Sequence, residues 1–370
     1  MSEPRAWTAH TVHVIEPTLS SESGHCLSLV RSLCESSAAL PFELWVGKGA
    51  RLPSLERLGA GVHSYFFRRL RKLQLLPLYR KLLREPGRVL VTTAGRVDLM
   101  MLDLAAAGGI APGKVYLYFH WVRLTRSKQA YFRRMAQKHP NLVILGTTPT
   151  VEKVFRDCGF IQTLVVPYPA TMDQAVAPQG QTAFRHVLFA GAARADKGFG
   201  KVVDLVAWLA QHGESIAVSV QVSADHYDKY DAVTRSDIDR LRGIPYPALM
   251  VRSQALSEGE YAALFAGGIC LQPYDRGEFA DRVSSVTLDA FTAGCPVITV
   301  SRTWMARAVE RFDAGIVVED PSAQALHEAI TRVIADYPRY QANARSGADV
   351  LRRENSWGRL VERLNLATRQ

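Results

Sequence analysis

Short apolar runs alternate along the chain with stretches whose apolar positions recur every three to four residues. The runs HTVHVIE (10–16), FELWVG (42–47), RVLVTT (88–93), KVYLYFH (114–120) and NLVILGT (141–147) read as strands, as do HVLFAG (186–191), SIAVSVQVS (215–223), GICLQPY (268–274), CPVITVS (295–301) and AGIVVE (314–319). Residues 25–36, 128–138, 150–158, 200–212, 258–266 and 322–335 carry the helical period between them. Continuous apolar strands separated by helices predict parallel sheets covered on both faces, an α/β architecture. The segment PYPATMDQAVAPQGQTAFR (167–185) is rich in Pro, Gln, Ala and Gly and predicts a linker. With 370 residues, two doubly wound, Rossmann-like halves are expected, 1–170 and 171–353.

Composition narrows the function classes. No apolar run approaches the roughly 20 residues that span a bilayer, and the N-terminus lacks the basic-then-apolar order of a signal peptide; a cytoplasmic protein is expected. Five scattered cysteines without a CxxC pair indicate neither a disulfide framework nor a zinc site. The net charge of +10 is unevenly placed: residues 1–170 hold 23 Lys+Arg against 11 Asp+Glu, and the remainder 22 against 24. The first half is therefore the part suited to an anionic partner.

Two glycine patterns are set aside. Gly108 to Gly113-Lys114 has phosphate-loop spacing, but Val115 stands at the Ser/Thr position and the pattern precedes its strand. Gly59-Ala60-Gly61 lacks the third glycine of a dinucleotide loop.

Two segments of the second half carry chemistry. FAGAARADKGF (189–199) runs from a strand through Gly191 to Arg194, Lys197 and Gly198 ahead of a helix, an arrangement that aims cations and helix N–H groups at an anion. YDRGEFADRVSSVTLDAFTAGCPVI (274–298) places Arg282, Ser284 and Ser285 just before a helix ending at Gly294. Asp281 and Asp289 are eight apart, two helical turns if the helix reaches back that far, and can accept from sugar hydroxyls.

These residues resemble the retaining glycosyltransferase family 4 of the GT-B fold. Its Gly–(five residues)–Lys-Gly turn is matched by Gly191 to Lys197-Gly198, and its Glu-x7-Glu element by Asp281 and Asp289 ahead of Gly294, Pro296 and Val297. The resemblance implies two Rossmann-like domains facing across a cleft and a UDP- or GDP-linked sugar donor, with no cofactor and no metal required. It implies that Lys197 and Arg194 bind the diphosphate, that Asp289 accepts from the ribose diol, and that Asp281 or Glu278 lies by the donor sugar. Ser253 and Gln254 would face the base, the Gly24 turn (SGH, 23–25) the phosphate or acceptor, and His120 the donor sugar. ENSWGRLVERL (354–364) resembles the family's closing helix, so 354–370 is expected to pack on the first domain. Both glutamates of the family pair are aspartates here, which leaves a catalytically degenerate GT-B binding or scaffold subunit as the alternative.

SYFFRRLRKLQLLPLYRKLLREPGR (64–88) holds eight Lys/Arg and one acid. Leu78, Tyr79, Leu82 and Leu83 oppose Arg80, Lys81 and Arg84, and Pro77 is expected to separate two short helices. A core-facing helix with a solvated basic face competes with an anionic membrane surface; the charge balance favours the membrane and a glycan, glycolipid or lipid-linked acceptor of surface polysaccharide or glycolipid biosynthesis. No recognition-helix or stacking motif points to nucleic acid.

Overall fold

The structure, a computed structural model, describes residues 6–22, 24–37, 40–172, 175–223, 230–254 and 256–366. The chain divides into two compact units, one of residues up to 169 together with 355 onward, the other of residues 170–354. Each is a doubly wound α/β layer structure.

The first unit is built on a seven-stranded sheet in the order β3-β2-β1-β4-β5-β6-β7. Its strands are β1 (Val12–Glu16), β2 (Phe42–Gly47), β3 (Gly61–Phe66), β4 (Arg88–Val91), β5 (Val115–Phe119), β6 (Val143–Gly146) and β7 (Gln162–Val165). All are paired in parallel, with Val14 opposite Leu44 on one side and Leu90 on the other. The central strands are buried along their whole length, so they read as unbroken apolar runs. Val89, Leu117, Ile144, Leu102, Phe132 and Phe155 pack in one core. The last helix, Gly358–Leu366, belongs to this unit: Trp357 is fully buried with its ring 5.3 Å from that of Tyr118, and Asn355 donates to the Tyr168 carbonyl at 2.9 Å.

The second unit carries a six-stranded parallel sheet in the order β10-β9-β8-β11-β12-β13. These are β8 (His186–Phe189), β9 (Val218–Gln221), β10 (Leu249–Arg252), β11 (Gly268–Gln272), β12 (Val297–Val300) and β13 (Gly315–Val318). Phe189, Phe199, Val206, Leu271, Ile298 and Ile330 lie in its core. The segment following 170 is strapped to helix Tyr337–Glu354, where Arg345 donates to the Pro178 and Gly180 carbonyls and Gln341 pairs with Thr182. Asp173 and Gln174 of the expected linker lie outside the described residues.

Three strands escape the apolar pattern: β3, β7 and β10. Each sits at a sheet edge and is half-buried, so each lacks the continuous apolar run of a central strand. Pro77 does not separate two helices; one helix runs Arg71–Arg84 through it. The hydrogen bond that Pro77 cannot donate would have gone to the carbonyl of Leu73, a residue 68% exposed. Leu78, Tyr79 and Leu82 of that helix are buried in the first core, with Leu83 packed against it, so this apolar face is committed to the fold.

Candidate functional site

In a doubly wound sheet, ligands bind outside the carboxyl ends of the strands where the winding direction reverses. In the second unit that point lies between β8 and β11. The turn leaving β8 holds Gly191 in a left-handed conformation (φ 91°), and its N–H donates to Gln221 Oε1 at 2.7 Å. A Cβ on Gly191 would stand 3.0 Å from Lys197 Nζ and 3.6 Å from Val286 Cγ2. This lack of a side chain lets the lysine approach the first turn of helix Ser285–Thr292, which follows β11. Gly198 is left-handed too (φ 67°), and a Cβ there would meet the Pro273 carbonyl oxygen at 2.0 Å. Lys197 is thereby fixed between the two loops of the switch point.

Among the described residues, Lys197 Nζ has neither a hydrogen-bond nor an ion-pair partner; it lies 5.6 Å from the ring centre of Tyr274. Burial, reinforced by the charges of Arg194 and Arg282, brings its pKa from the usual 10.5 to about 8. Arg282 is lowered by burial and by Arg194. Asp196 lies between the two guanidinium groups: Arg194 grips both its oxygens, with Nε–H donating to Oδ1 at 2.7 Å, and Arg282 comes within 3.6 Å of Oδ2. Lys197, Arg194 and Arg282 against Asp196 leave a cationic excess beside the amides of a helix start, an anion site by charge and by dipole.

The remaining expected residues divide. Ser284 is the N-cap of helix Ser285–Thr292, and its hydroxyl accepts from the Thr287 N–H at 3.4 Å. That hydroxyl is turned to its own helix; Ser285 stands half-buried at the first helical position. The helix does not extend back to Asp281, so Asp281 and Asp289 do not share a helical face. The chain between them is held in a turn by the short helix Arg276–Phe279 and the Ser284 cap, and Asp281 pairs with Arg307 at 3.0 Å. Glu278 lies in the short helix, its N–H donating to Asp275 Oδ1. Asp289 is only 7% exposed and accepts from the Tyr261 hydroxyl at 3.1 Å; burial lifts its pKa from 3.8 to about 7. Ser253 and Gln254 are exposed just beyond β10. Asp196, Tyr261 and Tyr274 carry no signal in the sequence, because their roles depend on which neighbours the loops deliver.

In the first unit the winding reverses between β1 and β4. Gly24 (φ 88°) opens helix His25–Glu35 after β1; Ser23 lies outside the described residues. His120 stands one residue beyond β5, where its Nε2–H donates to the Thr92 carbonyl at 2.7 Å and its own carbonyl accepts from Thr147 Oγ1 at 2.7 Å. Glu16, fully buried at the end of β1, accepts from Thr92 Oγ1 at 2.7 Å, Thr93 Oγ1 at 2.8 Å and Thr18. A hydrogen-bonded network thus ties the ends of β1, β4 and β5 and orients His120. A charged residue closing an apolar strand was its one trace in the sequence.

Residues 268–349 match the family described as glycosyl transferases group 1. Among solved structures the chain is similar to sucrose-phosphate synthase from Thermosynechococcus elongatus (13% identity, 97% of this chain and 98% of that one, TM-score 0.71). It is similar also to Anabaena HepE in complex with UDP-glucose (14%, 97% and 99%, TM-score 0.70) and to WaaG, a glycosyltransferase involved in lipopolysaccharide biosynthesis (14%, 92% and 95%, TM-score 0.60). Among curated protein sequences no relative matches. The segment that carries Arg282, Ser284, Ser285 and Asp289 matches the glycosyl transferases group 1, and the chain shares the GT-B fold of these solved glycosyltransferases.

Proposed function

We propose that this enzyme moves a sugar from a UDP- or GDP-linked donor, with retention of configuration, to a glycan, glycolipid or lipid-linked acceptor in surface polysaccharide or glycolipid biosynthesis. The observation that carries the donor half is Lys197, a desolvated ammonium between the turn after β8 and the helix after β11. Breaking a glycosyl–phosphate bond adds negative charge to the diphosphate. Preorganised cations and helix amides stabilise that charge without reorganising. The neutralising role is assigned to Lys197, with Arg194 and Arg282, rather than to a metal ion. Asp289 is assigned to the ribose diol, Ser253 and Gln254 to the base, and Asp281 or Glu278 to the donor sugar. His120 keeps the donor-sugar contact that the family resemblance implies. The UDP-glucose held by HepE favours uridine. Isothermal titration of the protein with UDP and GDP tests the reading; heat from neither nucleotide sinks it.

The acceptor half rests on the first unit's surface. Phe67, Leu70 and Leu73 are 50%, 51% and 68% exposed, in sequence with Arg68, Arg69, Arg71 and Lys72. Lys48 Nζ lies 5.7 Å from the Phe67 ring. Exposed Trp121 and Leu124, near Arg123, Arg126 and Lys128, leave β5 at the same edge of the parallel sheet as Gly24, Thr92 and His120. Apolar side chains among cations suit an anionic membrane interface. The role of WaaG in lipopolysaccharide biosynthesis favours the same class of acceptor. Among the described residues no helix is long and apolar enough to cross a membrane.

A further inference from the structure

We propose that Asp196 is a built-in stand-in anion: it pairs with Arg194 and Arg282 and is exchanged for the diphosphate when the donor binds. The inference rests on the diphosphate reading above and adds to it the residue that sets affinity and release.

Both oxygens of the Asp196 carboxylate are engaged by Arg194, and Arg282 adjoins the second of them. A guanidinium satisfied in this bidentate way has its best donors already spent. Lys197 next to Asp196 in sequence has no such partner, so the acid is committed to the arginines and not to the lysine. Glu278 acts on Arg282 as a second, lesser negative charge. The three paired side chains are alike in exposure: Asp196 and Arg282 are each 24% exposed and Arg194 28%, shielded enough for their pairing to count and open enough for a ligand to reach. The backbone of Asp196 is anchored separately, its carbonyl accepting from the Asp275 N–H at 2.9 Å. The side chain can therefore leave the arginines without unmaking the turn that holds Lys197. A diphosphate offers the same fork of oxygens with more charge, so it competes for the same donors. On release the carboxylate returns, which shortens the residence of the product nucleotide.

Titration with inorganic pyrophosphate and with UDP tests this. Asp196→Asn removes the competing charge while keeping the size, and it binds both probes about tenfold more tightly than the parent. Asp204→Asn, which removes an acid paired to Arg240 elsewhere in the same unit, changes affinity less than twofold. Unchanged or weaker binding by Asp196→Asn overturns the inference, since the acid then braces the arginines for the ligand. An equal gain in Asp204→Asn overturns it also, by assigning the effect to net charge. A parent protein that binds neither probe removes the diphosphate reading itself, and a parent that binds while Asp196→Asn gains nothing removes only the exchange. Should the variant not fold, the Arg194 Nε–H resonance of the parent decides: it shifts on saturation with pyrophosphate if the guanidinium changes partner, and a resonance that stays put rejects the exchange.

Discussion

Replacing Lys197 by methionine separates what this residue does to the empty fold from what it does to the ligand. Its pKa falls from 10.5 to about 8 on folding, chiefly through burial. At about 1.36 kcal/mol per unit, holding the charge costs the folded state up to about 3 kcal/mol, and partial solvent contact of the side chain reduces this to about 1.5–3. The sign is fixed by the direction: with the folded pKa below the unfolded one, the penalty is complete below pH 8 and fades as pH rises from 8 toward 10.5. Methionine keeps the packing against Tyr274 and drops the charge. Lys197→Met therefore raises the melting temperature at pH 7 by roughly 3–12 °C, taking about 2–4 °C per kcal/mol for a unit of this size. The same change removes a charge-assisted contact to diphosphate and weakens UDP binding about 10- to 100-fold. Differential scanning fluorimetry with and without UDP, at pH 7 and pH 9.5, reads both effects. The stability gain of the variant shrinks at the higher pH, and parent affinity falls as pH passes 8 while the variant's does not. A variant that melts below the parent at pH 7, or that binds UDP within threefold of it, refutes the assignment of Lys197 as an uncompensated diphosphate-binding cation.

Asp289→Asn stabilises the empty protein, with a gain that grows from about pH 4 to pH 7 and then levels, because burial raises this carboxyl's pKa in the folded state only; melting curves across that range check it. Asp289→Asn also weakens UDP binding while leaving inorganic pyrophosphate unaffected, if its partner is the ribose. Gly198→Ala forces a Cβ to 2.0 Å from the Pro273 oxygen at φ 67°, and destabilises the protein by roughly 3 kcal/mol or more in urea titration, with loss of nucleotide binding. Phe67→Ser combined with Leu73→Ser reduces sedimentation with vesicles rich in anionic lipid while leaving UDP affinity intact; undiminished sedimentation assigns these side chains elsewhere.

The two sheets and the switch-point loops were legible because central parallel strands must be apolar throughout, and because Gly191, Gly198 and Gly294 mark left-handed turns that few other residues tolerate. The edge strands β3, β7 and β10 were not legible, since half-burial leaves no pattern to find. Helix Arg71–Arg84 shows the converse: its period was plain, but whether its apolar face met the core or a membrane was not, and the core took Leu78, Tyr79 and Leu82.

The sequence by itself determined the doubly wound architecture and the lysine-bearing turn, since periodicity and backbone sterics act locally. Only the tertiary structure decided that Asp281 answers Arg307, that Tyr261 answers Asp289, and that Asp196 answers Arg194 and Arg282. Charge pairing depends on distance in space, and where loops from separate strands converge, spacing along the chain does not fix that distance.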